Sequence, residues 1–229
     1  MHPLPFQLAN QDAELWLSSM ATESVDLLIV DPPYASKEKH RKRGAKSRFG
    51  GGSRTKRPWF AVVPDDYFIK LFVGMYRVLR MNRHCYVFCD FEMLQWLVHC
   101  ATGTGFYVHK PLVWDKQHFG MGYHYRAQYE FILFMSKGKR RLNDNGIPDV
   151  LSVRKVFLRG PTEKPFELMD ILVRQSTKPG ELVVDPFMGS GVVGEAAMNR
   201  QCVFWGNDLD APTVERAQVR LQQYFDGKG

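Results

Sequence analysis

Val25-Asp26-Leu27-Leu28-Ile29-Val30-Asp31-Pro32-Pro33-Tyr34 is an apolar, β-branched run closed by a carboxylate, two prolines and an aromatic ring. Its length and lack of alternation predict a strand buried on both faces of a parallel sheet. Proline offers no amide to the ladder and restricts the residue before it, so the strand ends at Asp31 and passes into a loop. In open α/β sheets the carboxyl edge of the strands is where ligands bind. Asp31, Pro32, Pro33 and Tyr34 are therefore the first candidate site residues.

Working outward, Asp65 to Arg80 has helical periodicity through Phe68, Leu71, Phe72, Met75 and Leu79, with acids at its start and bases at its end. Cys85–Cys89 reads as a strand, Phe91–Cys100 as a helix, and Phe106–Trp114 and Gln128–Met135 as two further, antiparallel strands. Residues 136–161 are rich in Gly, Asn, Asp and bases and read as a connection with at most short structure. A helix over Glu163–Gln175, a strand over Glu181–Val184, a helix over Val192–Asn199, a strand over Cys202–Trp205 and a helix from Pro212 to about Phe225 complete the chain. Strands alternating with helices predict one α/β domain over residues 1–229, its sheet covered on both faces.

A second strand exit reinforces the first. Val183-Val184-Asp185-Pro186-Phe187-Met188-Gly189-Ser190-Gly191 runs from a strand through an acid and a glycine turn into a helix. Glycines let backbone approach a ligand closely, and the helix start offers unpaired amides. Alone, such a turn is equally well a tight strand-to-helix connection. About twenty residues on, Phe204-Trp205-Gly206-Asn207-Asp208 ends the next strand with a carboxylate, where nucleotide-type folds hold ribose hydroxyls. The start at Asp185-Pro186-Phe187 is not the glycine fingerprint that surrounds a pyrophosphate, which favours a ligand with ribose and no phosphate and disfavours a nicotinamide cofactor.

The net charge is +7, and it is concentrated. Lys37, Lys39, Arg41, Lys42, Arg43, Lys46, Arg48, Arg54, Lys56 and Arg57 stand against one acid, Glu38, so residues 35–58 carry +9 and the rest of the chain −2. A basic segment starting directly after Tyr34 fits phosphate contacts beside the Asp31 site; a solvated loop is the bland alternative. Cys85, Cys89, Cys100 and Cys202 lack paired spacing and read as buried thiols, and His84, His99, His109, His118 and His124 lack ligand spacing, so no metal is expected. No apolar stretch approaches a membrane span and the start lacks a signal peptide's pattern, which places the expected location in the cytoplasm, without membrane association.

The amino group of adenine or cytosine is a poor nucleophile because its lone pair is delocalised into the ring. Two acceptors on its hydrogens, the Asp31 carboxylate and a carbonyl at Pro32, would favour the localised pair that develops in the transition state. With both motifs together, Asp31-Pro32-Pro33-Tyr34 before Asp185-Pro186-Phe187-Met188-Gly189-Ser190-Gly191, the chain resembles the DNA amino-methyltransferases, in the group whose catalytic motif precedes the cofactor motif. The resemblance implies a seven-stranded, Rossmann-like methyltransferase sheet in circularly permuted order, S-adenosylmethionine as cofactor, and DNA as partner in a bacterial or phage-infected cell. It places Asp12 and Ala13 beside the cofactor's adenine and Lys164 and Pro165 beside its methionine end, with Asp31, Asp185, Pro186, Phe187, Gly189, Ser190, Gly191 and Asp208 completing the cofactor set. Asp-Pro-Pro-Tyr goes more often with adenine than cytosine in that family. Residues 136–161 would be a short target-recognition segment, implying short or relaxed sequence specificity, with Lys137, Lys139, Arg140, Arg141, Arg154 and Lys155 on the DNA backbone. A homodimer is implied by family analogy alone. An RNA or cytosine amino-methyltransferase, or a catalytically silent nucleic-acid-binding module, remains the alternative.

Overall fold

A computed structural model describes residues 4–33, 65–120, 124–156 and 163–227. In chain order they form β1 (Phe6–Ala9), α1 (Ala13–Ser19), β2 (Val25–Val30), α2 (Asp65–Val78), β3 (Leu79–Cys89), α3 (Phe91–Thr104), β4 (Tyr107–Val108), β5 (Leu112–Asp115), β6 (Tyr129–Lys137), β7 (Val150–Ser152), α4 (Phe166–Ser176), β8 (Leu182–Asp185), α5 (Val192–Asn199), β9 (Val203–Asn207) and α6 (Ala211–Asp226). The strands make one sheet in the order β1-β9-β8-β2-β3-β6-β5-β7, with β4 also on β6. From β1 to β3 across that order every pairing is parallel. β6 runs antiparallel to β3, β4 and β5 run antiparallel to β6, and β7 lies parallel to β5.

The six strands read from the sequence are present, and one split together with two short added strands brings the count among the described residues to nine, against the seven that the resemblance implied. The single strand anticipated over Phe106–Trp114 is interrupted before Leu112, where Pro111 has no amide for the ladder, so β4 and β5 share one flank of β6. Three residues of the connection after Lys137 add β7 as a short edge. Two elements too short for a periodicity argument also appear: β1 at one edge, and α1, whose start is set by Asp12 accepting from the Glu14 and Leu15 amides.

β2 is buried along its whole length. Leu27 and Ile29 pack into the core under α4, α5 and α6, while Val25, Leu28 and Val30 pack into the core under α1, α2 and α3. Asp26 is buried too, and it explains why β3 begins at Leu79, six residues before the expected start. The polar residues Arg80 and Arg83 look wrong for a strand, yet Arg80 Nη1 reaches the Asp26 oxygens at 2.8 and 2.9 Å and Arg83 Nε reaches Oδ1 at 2.9 Å. The Leu182 amide donates to Oδ2 at 2.9 Å. Burial alone would raise the Asp26 pKa, but the Leu182 amide, Arg83 and Arg80 outweigh it and hold the carboxyl below its usual range.

His84 is buried between sheet and α4. Its Nε2 lies 3.2 Å from the Arg140 carbonyl, which can only accept, so the imidazole donates there and its Nδ1 accepts from the Ser176 hydroxyl at 2.8 Å; the Tyr86 hydroxyl lies 2.8 Å from the same Oγ. Burial pushes the His84 pKa down to about 4. Its folded pKa lies below the unfolded value near 6.5, so the unfolded chain binds the extra proton. Stability from this group is therefore full above pH 6.5 and falls as pH drops towards 4, by up to about 3 kcal/mol. Urea unfolding across that window is expected to show the decline in the native sequence and a flatter profile in His84→Gln; equal slopes would show that His84 does not titrate on unfolding.

Candidate active site

Because β2, β8 and β9 are parallel neighbours, their carboxyl ends bring Asp31, Asp185 and Asp208 to one edge of the sheet. Asp185 is the last residue of β8, buried, and its Oδ1 accepts from the Phe187 amide at 2.9 Å. Burial, then the charges of Asp31 and Asp208, push its pKa well above the usual carboxylate range. Asp208 accepts from the Gly189 amide at 3.1 Å and the Asp210 amide at 3.0 Å, so it braces the glycine turn from the neighbouring strand. Burial raises its pKa as well. Three acids at one edge suit a ligand that carries positive charge.

The turn itself is open on the ligand side. Gly189 has φ +49° and a Cβ built there would meet only the Phe187 carbonyl, at 4.0 Å; Gly191, the N-cap of α5, has φ +79°. Both are left-handed positions that cost a side-chain-bearing residue about 1 kcal/mol or more. Behind the turn, Arg220 of α6 forks onto Glu195 at 2.5 and 2.7 Å, reaches Glu163 at 2.7 Å, and donates to the Ser190 carbonyl at 3.1 Å. Burial works against the guanidinium's charge, but Glu195 and Glu163 outweigh it.

The N-terminal segment closes the same edge. Asn207 donates to the carbonyls of Gln11 at 2.9 Å and Pro186 at 3.2 Å and accepts from the Gln11 amide at 3.1 Å, while Asn10 donates to the Asp208 and Leu209 carbonyls. Ala13, the first residue of α1, is buried, and the Asp12 side chain is occupied by capping α1 and by the Tyr67 hydroxyl at 3.2 Å.

On the other side of Asp31 stands a line of alternating charges. The Lys164 ammonium, on the turn before α4, is hydrogen-bonded to Asp31 Oδ2 and lies 3.2 Å from Glu130 Oε1, a contact that is an ion pair without aligned hydrogen-bond geometry. Glu130 Oε2 in turn lies 3.0 Å from Lys116 Nζ, and the Phe88 ring centroid sits 4.8 Å from Lys164 Nζ. Lys164 is buried. Burial alone would strip its proton, but Asp31 and Glu130 reverse this and hold the ammonium above its ordinary range.

The sequence-predicted residues thus divide cleanly. Asp31, Lys164, Asp185, Pro186, Phe187, Gly189, Ser190, Gly191 and Asp208 meet at one edge, with Pro32 buried behind Asp31 and Pro165 as N-cap of α4. Tyr34 and the ten bases from Lys37 to Arg57 lie outside the described residues. Of the bases expected on the DNA backbone, Lys137 is buried, donating to the Tyr76 and Leu79 carbonyls and pairing with Glu23 at 3.0 Å. Asn143 and Asp144 fasten that stretch to the C-terminal end of α4, at the amino edge of the sheet. Arg154 and Lys155, following β7, stand at the carboxyl edge. Sequence reasoning missed Glu130, although a lone acid heading an otherwise apolar strand was a visible signal, and it missed Asn207, Lys116 and Arg220, whose partners are distant in the chain.

Residues 25–218 match a family described as DNA methylase. The chain is 23% identical over 254 residues to the DNA adenine methyltransferase YhdJ of Escherichia coli strain K12, covering 93% of this chain and 82% of that protein. Its fold is similar to that of M1.HpyAVI solved in complex with SAM, with TM-score 0.69 and 21% identity over 94% of this chain and 100% of that one. It is also similar to the cytosine-N4-specific PvuII DNA methyltransferase, with TM-score 0.72 and 16% identity over 96% and 90%.

Arg220→Met takes the guanidinium away from the buried Glu195 and Glu163 carboxylates. Removing one partner of a buried pair costs about 3–5 kcal/mol, and a denaturant midpoint lowered accordingly is expected; a loss under about 1 kcal/mol, the range of exposed pairs, would show that Arg220 does not hold the turn.

Proposed function

As a member of the DNA methylase family, this chain transfers a methyl group from S-adenosylmethionine to a base amino group in DNA, and we propose that the base is adenine and that Asp31 grips its amine. The observation that carries this reading is the position of Asp31: it directly follows the central strand and is followed by a buried proline, directly beside the glycine turn of β8. The name of YhdJ and the Asp-Pro-Pro-Tyr motif both favour adenine, while the likeness to a cytosine-N4 enzyme shows that the fold serves either base.

The cofactor supplies an electrophilic methyl group on a sulfonium. The residues fit it: a positive charge answers the acids, and the open face at Gly189 leaves room for close approach. In this reading Asp208 accepts the ribose hydroxyls, Asp185 and the main chain from Pro186 to Gly191 line the cofactor, and Asp12, Ala13 and the main chain of Lys164 and Pro165 border its two ends. The Asp31 carboxylate and the Pro32 carbonyl accept the two amine hydrogens, which localises the lone pair, and Tyr34 stacks on the base. A base inside a duplex cannot reach this edge, so the target is extruded or already unpaired. Residues 35–58, Arg154 and Lys155 then hold phosphates, giving affinity that is sequence-blind and salt-sensitive.

Transfer of labelled methyl to unmodified DNA, followed by nucleoside analysis, is expected to yield methyladenine with the native sequence and a loss of more than a hundredfold with Asp31→Ala. Methylcytosine would overturn the base assignment, and an active Asp31→Ala would overturn the role of Asp31. Asp185 gives a second test. Burial raises its pKa, and a bound cation favours its ionised form, so cofactor binding releases a proton and affinity rises with pH in the window between the lower pKa of the bound state and the raised pKa of the free protein. Calorimetric titration of S-adenosylmethionine is expected to show this slope, and Asp185→Asn is expected to abolish it; an unchanged slope would remove Asp185 from the cofactor site.

A further inference from the structure

The ammonium of Lys164 meets three neighbours: it is hydrogen-bonded to Asp31, it lies 3.2 Å from Glu130 Oε1 as an ion pair, and the Phe88 ring centroid is 4.8 Å away. It is buried, so its charge is tolerable only because two carboxylates meet it. A cofactor carboxylate added at the same nitrogen would be a third anion on one cation, and the repulsion would fall on Asp31. The geometry is that of a cation whose anions are already supplied by the protein.

From these contacts we infer that Lys164 and Glu130 are positioning residues for Asp31: Glu130 anchors the Lys164 side chain, and Lys164 holds the Asp31 carboxylate in the rotamer that faces the target amine. The inference rests on the reading that Asp31 grips that amine. The three residues come from three separate parts of the fold. Asp31 directly follows β2, Glu130 stands near the start of β6, and Lys164 precedes α4. Lys116, just after β5, neutralises the far oxygen of Glu130 at 3.0 Å. Among the described residues the four charges alternate in sign, from Asp31 through Lys164 and Glu130 to Lys116. A carboxylate held this way loses no rotamer freedom when a base arrives, and the misplacement of such a group by about 1 Å costs on the order of a hundredfold in rate.

The test compares Glu130→Gln, Lys164→Met and Asp31→Asn in the full chain by steady-state methylation of DNA, with S-adenosylmethionine affinity from calorimetry and folding from thermal melts. Glu130→Gln removes the anchoring charge at nearly constant shape and is expected to lower kcat ten- to a hundredfold, with cofactor Kd and DNA KM within threefold of native. Lys164→Met is expected to lower kcat at least as far, again with cofactor Kd and DNA KM within threefold of native, because Asp31 loses the group that orients it. The double variant is expected to be no worse than Lys164→Met alone, since both act on one carboxylate. Native kcat in Glu130→Gln would overturn the proposal. So would a Lys164→Met whose cofactor Kd rises more than tenfold while kcat at saturating cofactor is intact, which would make Lys164 a cofactor ligand. If either variant fails to fold, Lys116→Met, at the partly exposed end of the line, is expected to lower kcat about threefold or more with affinities unchanged, and native kcat there would count against the proposal. A fully active Asp31→Asn is a separate failure, that of the reading beneath it.

Discussion

Leu27 and Leu28 of β2 pair in parallel with Val183 and Val184 of β8, and the rest of the site depends on that contact. The catalytic candidate Asp31 lies near one end of the chain and the glycine turn near the other, so nothing local brings them together. Asp26 sets the register. Its carboxylate takes the Leu182 amide at the start of β8 and the guanidinia of Arg80 and Arg83 on β3, and Arg83 also reaches Glu181 at 2.8 Å. One buried charge thus clamps three neighbouring strands at their amino ends, and the carboxyl ends are aligned as a result. A slip of β8 by one residue would turn Asp185 to the other face of the sheet.

The alignment concentrates negative charge where folding alone would avoid it. Asp31, Asp185 and Asp208 face one edge, and the protein treats each differently. Asp31 is paired with Lys164, Asp208 accepts from the Gly189 and Asp210 amides, Asp185 accepts from the Phe187 amide, and burial pushes the proton affinity of both Asp185 and Asp208 up. Three acids of the same type at one edge therefore meet different partners, set by what each strand end encounters. A cationic cofactor exploits that arrangement, because it supplies the charge the edge lacks.

Much of this was legible in the residues. Val25–Val30, the two proline-bearing strand exits and the helices over Val192–Asn199 and Asp65–Val78 carry periodicity or turn chemistry that local physics enforces, and they fall where expected. Asp208 was readable because a carboxylate at the next strand end has a fixed spacing from the glycine turn. Short elements were not readable: β1 and α1 exist because β9 and Asp12 support them, and a four-residue strand has no period of its own. Side-chain partnerships were the least accessible. Lys164 was placed near the cofactor by likeness, yet its strongest contact is with a residue 133 positions away, and Glu130 and Arg220 gain meaning only from partners that the fold delivers. Lys137 shows the converse, since a base in a basic stretch turned out to be buried under α2.

The pairing of β1 with β9 joins Phe6–Ala9 to residues almost two hundred positions later, and the Phe204 amide donates to the Pro5 carbonyl beside it. A ribosome makes β1 long before β9. Until then β1 has no strand to join, and β2 has β3 on one side but nothing on the side reserved for β8. Such non-local pairings fold slowly, and an apolar strand with an open flank is a surface on which unfinished chains adhere to one another. The same wiring that unites the two motifs thus makes the nascent chain dependent on being kept apart from its copies until its last strands emerge.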